Sequence, residues 1–238
     1  MSKEDHIYLH EADRYEELVS HEDADGRVLP AIERIVSLAG KDVVEVGAGT
    51  GRLTLQLAPR VRSLTVFDGS AAMLQVAEKK LRNAGFTNWK IETASNQSLP
   101  TRNNVADVVI SGWSVCYAYA DNPGTEKESL DKVLTELQRV LRPGGTIILL
   151  ENMGTGFESP NPPPHLLPYF QDLESFGFQH EIFRTDFQFD SPQHADQLSR
   201  FFFGDELADR IVEKGWSRVP ECTGMWWVQT GEFALARG

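Results

Sequence analysis

VVEVGAGTGRL, residues 43–53, sets an apolar run against three glycines within five positions. Glycine in a regular element costs ~0.5–1 kcal/mol, so three of them imply a backbone that turns sharply or is approached closely by a ligand. The run before them, Asp42-Val-Val-Glu-Val46, has strand length, and Leu53, Leu57 and Val61 after them return to helical spacing. The stretch therefore reads as a strand, a tight glycine turn and a helix N-terminus.

The same alternation extends in both directions. Val28, Ile32, Ile35, Val36 and Ala39 keep helical spacing up to a stop at Gly40, and Leu64–Phe67 reads as a second strand. Ser70 is placed to cap a helix carrying Met73, Leu74, Ala77 and Leu81 on one face, with Gly85 at its end. Trp89–Thr93 and Ala106–Ile110 are further strands, Leu130, Val133, Leu134, Leu137 and Leu141 form a helical stripe, and Thr146–Leu150 is apolar throughout, as a strand buried on both faces requires. Such alternation specifies α/β architecture, with parallel strands joined by right-handed crossovers into a doubly wound sheet. Ligands in such sheets sit beyond the carboxyl ends of the strands, which selects the loops after residues 46, 67, 94, 110 and 150.

After Leu150 the texture changes. GTGFESPNPPPHLLPYF carries five prolines and reads as a loop leading into a helix. Phe178–Phe189 reads as a strand, Gln193–Lys214 as helical around Phe201-Phe-Phe203, and Gly224–Thr230 as a closing strand. No repeat or low-complexity linker divides the chain, so residues 1–238 read as one domain: an N-terminal segment to residue 27, a core over 28–151 and a decorated C-terminal part over 152–238.

Composition excludes several classes of function. Among 238 residues 23 are basic and 35 acidic, a net charge of -12, which repels nucleic-acid phosphates and anionic lipid. The N-terminus is polar and acidic, unlike a signal peptide. Only Cys116 and Cys222 occur, without a CxxC pair, so neither a disulfide framework nor a structural zinc site is expected and a cytoplasmic location is. The histidines show metal spacing only at His6 and His10, in a segment better explained as exposed, so no metal is expected. Ser111-Gly-Trp-Ser-Val-Cys116 lacks the final glycine of a nucleophile elbow, which disfavours a hydrolase.

Gly47, Gly49 and Gly51 form GxGxG, whereas a dinucleotide fingerprint would need its third glycine where Arg52 stands. Asp68 ends the second strand about 20 residues past the first glycine, where a carboxylate can accept both hydroxyls of a ribose. Glu45 inside the strand favours a ligand with a positive end rather than a pyrophosphate. Beside these residues stand Leu99-Pro100, Ala106-Asp-Val-Val-Ile110 and Leu141-Arg-Pro-Gly-Gly145, the last a type II turn into the fifth strand.

With these motifs in this order over residues 40–151, the sequence resembles the class I S-adenosylmethionine-dependent methyltransferases, of the small-molecule, type 11-like kind. The resemblance implies a Rossmann-like, mostly parallel seven-stranded sheet in a three-layer α/β/α sandwich with helical cap elements. It implies Gly47, Ala48, Gly49, Thr50 and Gly51 along the methionine portion of the cofactor, Glu45 near its amino group, Asp68 on the ribose with Gly69 and Ser70 alongside, and Met73 on the adenine face. Ser95 stands where the family offers an acid to the adenine amino group, a departure that leaves the backbone contact at Asn96, with Gln97 beside it in the same cofactor-site loop. Ser111, Gly112 and Trp113 are implied beside the sulfonium, with Trp113 or Tyr117 open to cation stabilisation or to core packing. His10–Val19 resembles a lid helix that would bring Tyr15 over the cofactor, with plain packing the alternative.

The implied reaction is methyl transfer to a small-molecule acceptor under the elements between Asn152 and Arg218, releasing S-adenosylhomocysteine without a metal. Phe201-Phe-Phe203 and Trp226-Trp227 are open to acceptor lining or to core packing, with packing favoured, and Glu151, His165 and His180 are candidate bases by position alone, so no catalytic residue is assigned. The rivals are an S-adenosylmethionine-binding protein or enzyme that transfers no methyl, and an NAD(P)-dependent oxidoreductase.

Overall fold

The computed structural model describes residues 3–120 and 123–231; the first two and last seven residues of the expected domain lie outside them. Two short helices, α1 (Lys3–His10) and α2 (Ala12–Val19), precede α3 (Val28–Ile35). Then come β1 (Asp42–Val46), α4 (Arg52–Leu57), β2 (Ser63–Asp68), α5 (Ala71–Asn83), β3 (Trp89–Thr93), β4 (Ala106–Gly112), α6 (Val115–Ala120), α7 (Glu126–Val140) and β5 (Leu141–Thr155). A 3-10 turn (Pro164–Leu166) leads into α8 (Leu167–Ser175), β6 (Gln179–Arg184), β7 (Phe187–Gln188), α9 (Pro192–Phe202), α10 (Asp205–Lys214), β8 (Arg218–Val219) and β9 (Glu221–Gln229).

The seven-stranded sheet runs β3-β2-β1-β4-β5-β9-β6, parallel from β3 to β5 and antiparallel on both sides of β9. Alternation along the central strands sorts side chains to two faces. Val109, Ile147 and Leu149 meet α7 and α8, while Val108, Ile110, Ile148 and Leu150 meet α3, α4 and α5. This is the three-layer sandwich the sequence implies, because a strand covered by helices on both faces must be apolar at successive positions. The strand order reverses between β1 and β4, which opens a crevice over their carboxyl ends.

The opposite end of the sheet is tied by charge. Arg142 in the turn entering β5 bonds Asp42 at 2.8 Å and Asp107 at 2.9 Å, and the Asp42 amide donates to Asp107 at 2.9 Å. The arginine beside this turn thus clamps the starts of β1 and β4 and stays clear of the crevice. Gly144, at φ 79, makes the left-handed residue that the turn needs. Leu99 is fastened to α7 through Glu136 and Arg139, which fixes the loop after β3.

Several elements differ from the sequence expectation. The first core helix stops at Ile35, because Val36 turns extended to bring the chain down to β1; Leu38 stays buried without helical geometry. The helix after the glycines ends at Leu57, and Val61 packs from the turn that follows. The expected strand over 178–189 is two, split at Thr185-Asp186, where Asp186 leaves the ladder to bind Arg184 and Arg218. The long helical stretch 193–214 is likewise two helices, separated at Gly204 with φ 95. The N-terminal helix is also a pair, broken at Glu11.

Candidate functional site

A cavity of ≈ 670 Å³ lies over the carboxyl ends of β1, β2 and β4, within the range of small-molecule sites. Its floor is the glycine turn. Gly47, Gly49 and Gly51 have φ of 67, 55 and 80, the left-handed conformation that side chains resist. A Cβ on Gly47 would sit 1.9 Å from Ser114 Oγ, and one on Gly51 would sit 2.8 Å from the Ala77 Cβ of α5. Gly47 therefore lets the loop after β4 close on the loop after β1, while Gly51 lets α5 pack against the start of α4. Gly47→Ala adds left-handed strain of ~1–2 kcal/mol to overpacking of ~1–3 kcal/mol. We expect a stability loss of about 2–5 kcal/mol in urea unfolding, while Gly69→Ala, with open space at its Cβ and no positive φ, stays near neutral.

Asp68 closes the next wall. Its Oδ2 accepts the Gly49 amide at 2.8 Å and its Oδ1 the Ser70 amide at 2.7 Å, so it joins the loops after β1 and β2. Burial raises its pKa, and those two amides act against the rise. Each oxygen keeps a lone pair for a further donor. Ser70 caps α5 as the sequence implied, accepting the Met73 amide at 3.3 Å, but its hydroxyl also donates to the Tyr8 carbonyl at 2.6 Å. Its side chain is therefore a tie to α1.

Glu45 is 2% exposed, and burial pushes its carboxyl up to about 8, a rise that the neighbouring Thr54 partly opposes. Its Oε2 has no partner, an orphaned acceptor bordering the cavity. Trp113 holds φ 53, donates its amide to the Leu150 carbonyl at 2.6 Å, and lies under the Arg52 guanidinium at 3.7 Å. Arg52 is also paired with Glu22, so the residue at the third-glycine position is already committed.

Of the seventeen residues singled out from the sequence, the cavity brings together all but two. Gly51 serves helix packing instead, and Ser111 lies inside β4, 1% exposed, with its hydroxyl unpartnered beneath the crevice floor. Ser95, where the acid is missing, accepts the Gln97 amide at 3.2 Å, and Asn96 donates to Ser114 Oγ at 2.9 Å. These bonds rigidify the loop after β3.

The opposite wall departs from expectation. Among the described residues nothing beyond Ala118 lines the cavity, so the elements between Asn152 and Arg218 do not cover it. The cover is N-terminal: Glu4, Tyr8 and Leu9 from α1, Tyr15 and Val19 from α2, facing Ser114, Tyr117 and Ala118 around α6. The C-terminal part backs this cover. Phe187, Phe189, Leu198, Leu207 and Ile211 form a third apolar cluster with Leu18 of α2, and Phe202 packs on Tyr8 and Tyr15. Trp226 stacks on Phe170 at 4.7 Å inside the sheet core. The aromatic runs are thus packing.

The three positional base candidates also lie outside the cavity lining. Glu151 accepts from Tyr169 Oη at 2.7 Å and from the Cys116 amide at 3.2 Å, and burial pushes it up to about 7. His180 stacks near Trp226 and pairs with Glu174. His165 sits in the 3-10 turn. Sequence reasoning missed Glu4, Tyr8 and Ser114. The bulk-free Gly47 signalled that something approaches it, but the approaching atom lies far along the chain.

Residues 44–149 match the family described as Methyltransferase domain. The ubiquinone/menaquinone biosynthesis C-methyltransferase UbiE of Idiomarina loihiensis is 34% identical over 116 residues, 47% of this chain and 43% of that protein. The chain thus spans less than half the length of this curated relative. Among solved structures, phosphoethanolamine N-methyltransferase 2 of Haemonchus contortus, in complex with S-adenosyl-L-methionine, superposes with a TM-score of 0.60 at 15% identity, covering 96% of this chain and 60% of that one. The precorrin 8w decarboxylase of Methanobacterium thermoautotrophicum superposes with a TM-score of 0.52 at 20% identity, covering 85% and 89%. At such identities these two describe the fold alone.

Proposed function

We propose, from the premise that residues 44–149 are a class I S-adenosylmethionine-dependent methyltransferase domain, that the protein transfers a methyl group to a small molecule. The observation that carries this reading is the pairing of an orphaned, buried Glu45 carboxyl with the Asp68 carboxylate across one glycine turn. That arrangement suits a ligand with an ammonium group at one end and a ribose diol nearby. A dinucleotide pyrophosphate would find two carboxyl groups and, among the described lining residues, no free cation there, since Arg52 is already held by Glu22 and Trp113.

In this reading Glu45 receives the amino group, Gly47–Gly49 carry the amino-acid backbone, Asp68 takes both ribose hydroxyls, and Met73 packs against the base. S-adenosylmethionine supplies an electrophilic methyl: the acceptor's lone pair forms the new bond to carbon, the S–CH₃ bond breaks with its electron pair passing to sulfur, and S-adenosylhomocysteine is left. The protein's part is orientation and exclusion of water, which convert a bimolecular encounter into an intramolecular one. Tyr15 approaches Gly49, with its Cε1 3.9 Å from where a Cβ would stand, so α2 covers the turn from above. Cytoplasmic residence belongs to the same proposal and rests on two free cysteines; no helix of the described residues is long and apolar enough to cross a membrane.

Calorimetric titration with S-adenosylhomocysteine, with NAD⁺ as control, tests the reading. Binding of the thioether alone is the expected result. Binding of NAD⁺ alone would overturn it, and thioether binding without methyl transfer to any component of a cell extract would leave a binding protein.

A further inference from the structure

We infer that the acceptor is an amine, whose alkylammonium head group is held in a corner of three tyrosine rings, Tyr8, Tyr15 and Tyr117. The inference rests on the cofactor reading above and extends it to the substrate. Both neighbours of Tyr8 stand perpendicular to it: Tyr15 at a centroid distance of 5.5 Å and Tyr117 at 6.2 Å, each at 88°. Rings perpendicular to a common neighbour present faces and edges in different directions, the kind of arrangement by which aromatic cages hold ammonium groups. The corner is fixed by the Tyr8–Tyr117 hydroxyl contact at 2.9 Å and, from behind, by Phe202 at 5.3 Å from Tyr15.

The charges around the cavity point the same way. Glu4 borders the cavity near Tyr117. Among the described lining residues the only base is Arg52, bound to Glu22 and stacked on Trp113. A carboxylate or phosphate on the acceptor therefore finds no free counter-charge, whereas a cation finds π faces and a carboxylate. Burial raises the Tyr8 and Tyr15 hydroxyls and pushes Tyr117 up to about 12, so the rings remain neutral phenols at ordinary pH. The corner adjoins Gly49 through Tyr15, which sets the amine beside the methionine end of the cofactor. The bound ammonium first gives a proton to water at the cavity mouth; the neutral amine's lone pair then forms the N–CH₃ bond as the S–CH₃ bond breaks with its pair passing to sulfur, and the methylated product is again an ammonium.

The test uses the whole protein saturated with S-adenosylhomocysteine, titrated with choline and with 3,3-dimethylbutan-1-ol, its uncharged carbon isostere. We expect choline to bind at least about tenfold more tightly. Tyr117→Leu should lower choline affinity about tenfold and leave the isostere unchanged, while Tyr117→Phe keeps the preference because it keeps the ring. Thermal unfolding of each variant separates lost recognition from lost folding, and Tyr8→Leu repeats the measurement if Tyr117→Leu is unstable. Equal binding of the two probes, no binding of choline, or a preference that survives both leucine variants would overturn the inference. If the wild type fails to bind S-adenosylhomocysteine, the cofactor reading falls instead, and the same probe pair titrated into the free protein decides the corner by the same criteria.

Discussion

Asp68→Ala weakens S-adenosylhomocysteine binding by roughly 10- to 150-fold, the equivalent of ~1.5–3 kcal/mol for hydrogen bonds to a charged group. The loss has two sources. The ribose diol loses an ionised acceptor, and the Gly49 and Ser70 amides, 2.8 and 2.7 Å from the carboxylate, lose the group that holds the two loops at their spacing. The second source also acts on stability, so the variant's urea midpoint is measured beside its affinity. Asp68→Asn divides them. It keeps one oxygen acceptor for one amide, so it should retain more stability than the alanine variant while still losing most of the affinity. Binding within twofold of wild type in a folded Asp68→Ala protein would remove the ribose from this wall.

The second large effect is a pH dependence. Glu45 in the free protein holds its proton to about 8, against 4.5 for an unperturbed glutamate. The ligand's ammonium favours the ionised carboxylate, so binding must release a proton wherever the free carboxyl is still protonated. Affinity therefore rises with pH, by about tenfold per unit between pH 6 and 7 and levelling off above 8. The stability of the unliganded protein runs the other way. The folded state retains the Glu45 proton over a range in which the unfolded chain has lost it, so this contribution is full below about 4.5 and declines as pH rises toward 8. Titrations at pH 7 in buffers of different ionisation enthalpy should report close to one proton released. Glu45→Gln should abolish both the release and the slope. A slope that persists in Glu45→Gln would assign the proton to another group.

Much of this site was legible in the sequence because local rules fixed it. A strand ending in GxGxG, an acid at the tip of the next strand and a serine before an apolar helix each have one economical conformation. All three take it at Gly47–Gly51, Asp68 and Ser70. The cover was legible only in part. Tyr15 sits in a helix with an apolar face, but Tyr8 belongs to a short segment without apolar periodicity, and its position depends on Ser70 and Tyr117. Ser114 was hidden for the same reason. The expected acceptor cover from the C-terminal third rested on position alone, and among the described residues nothing beyond Ala118 lines the cavity. The aromatic runs of that third read better as packing, and Phe202, Phe203 and Trp226 do support α2 and the sheet. Gly204 and Asp186 did carry a signal, since a glycine within a helical run and an acid within a strand both argue for a break.

The place of β9 in the sheet has a consequence for how the chain is made. Among the described strands it is the last to be synthesised, yet it lies between β5 and β6 and is the only partner β6 has. Thr146 waits for Gln229, and Gln179 for Trp227. Until then the nascent chain carries an open β5 edge of buried-type residues, the kind of surface that pairs with other chains. Assembly of β3-β2-β1-β4-β5 can begin before β9 is made, but closure of the sheet waits for β9 and brings together residues far apart in the chain. Holding chaperones would act on that interval, and their absence would show first as aggregation of newly made protein rather than as a change in the affinity of the finished one.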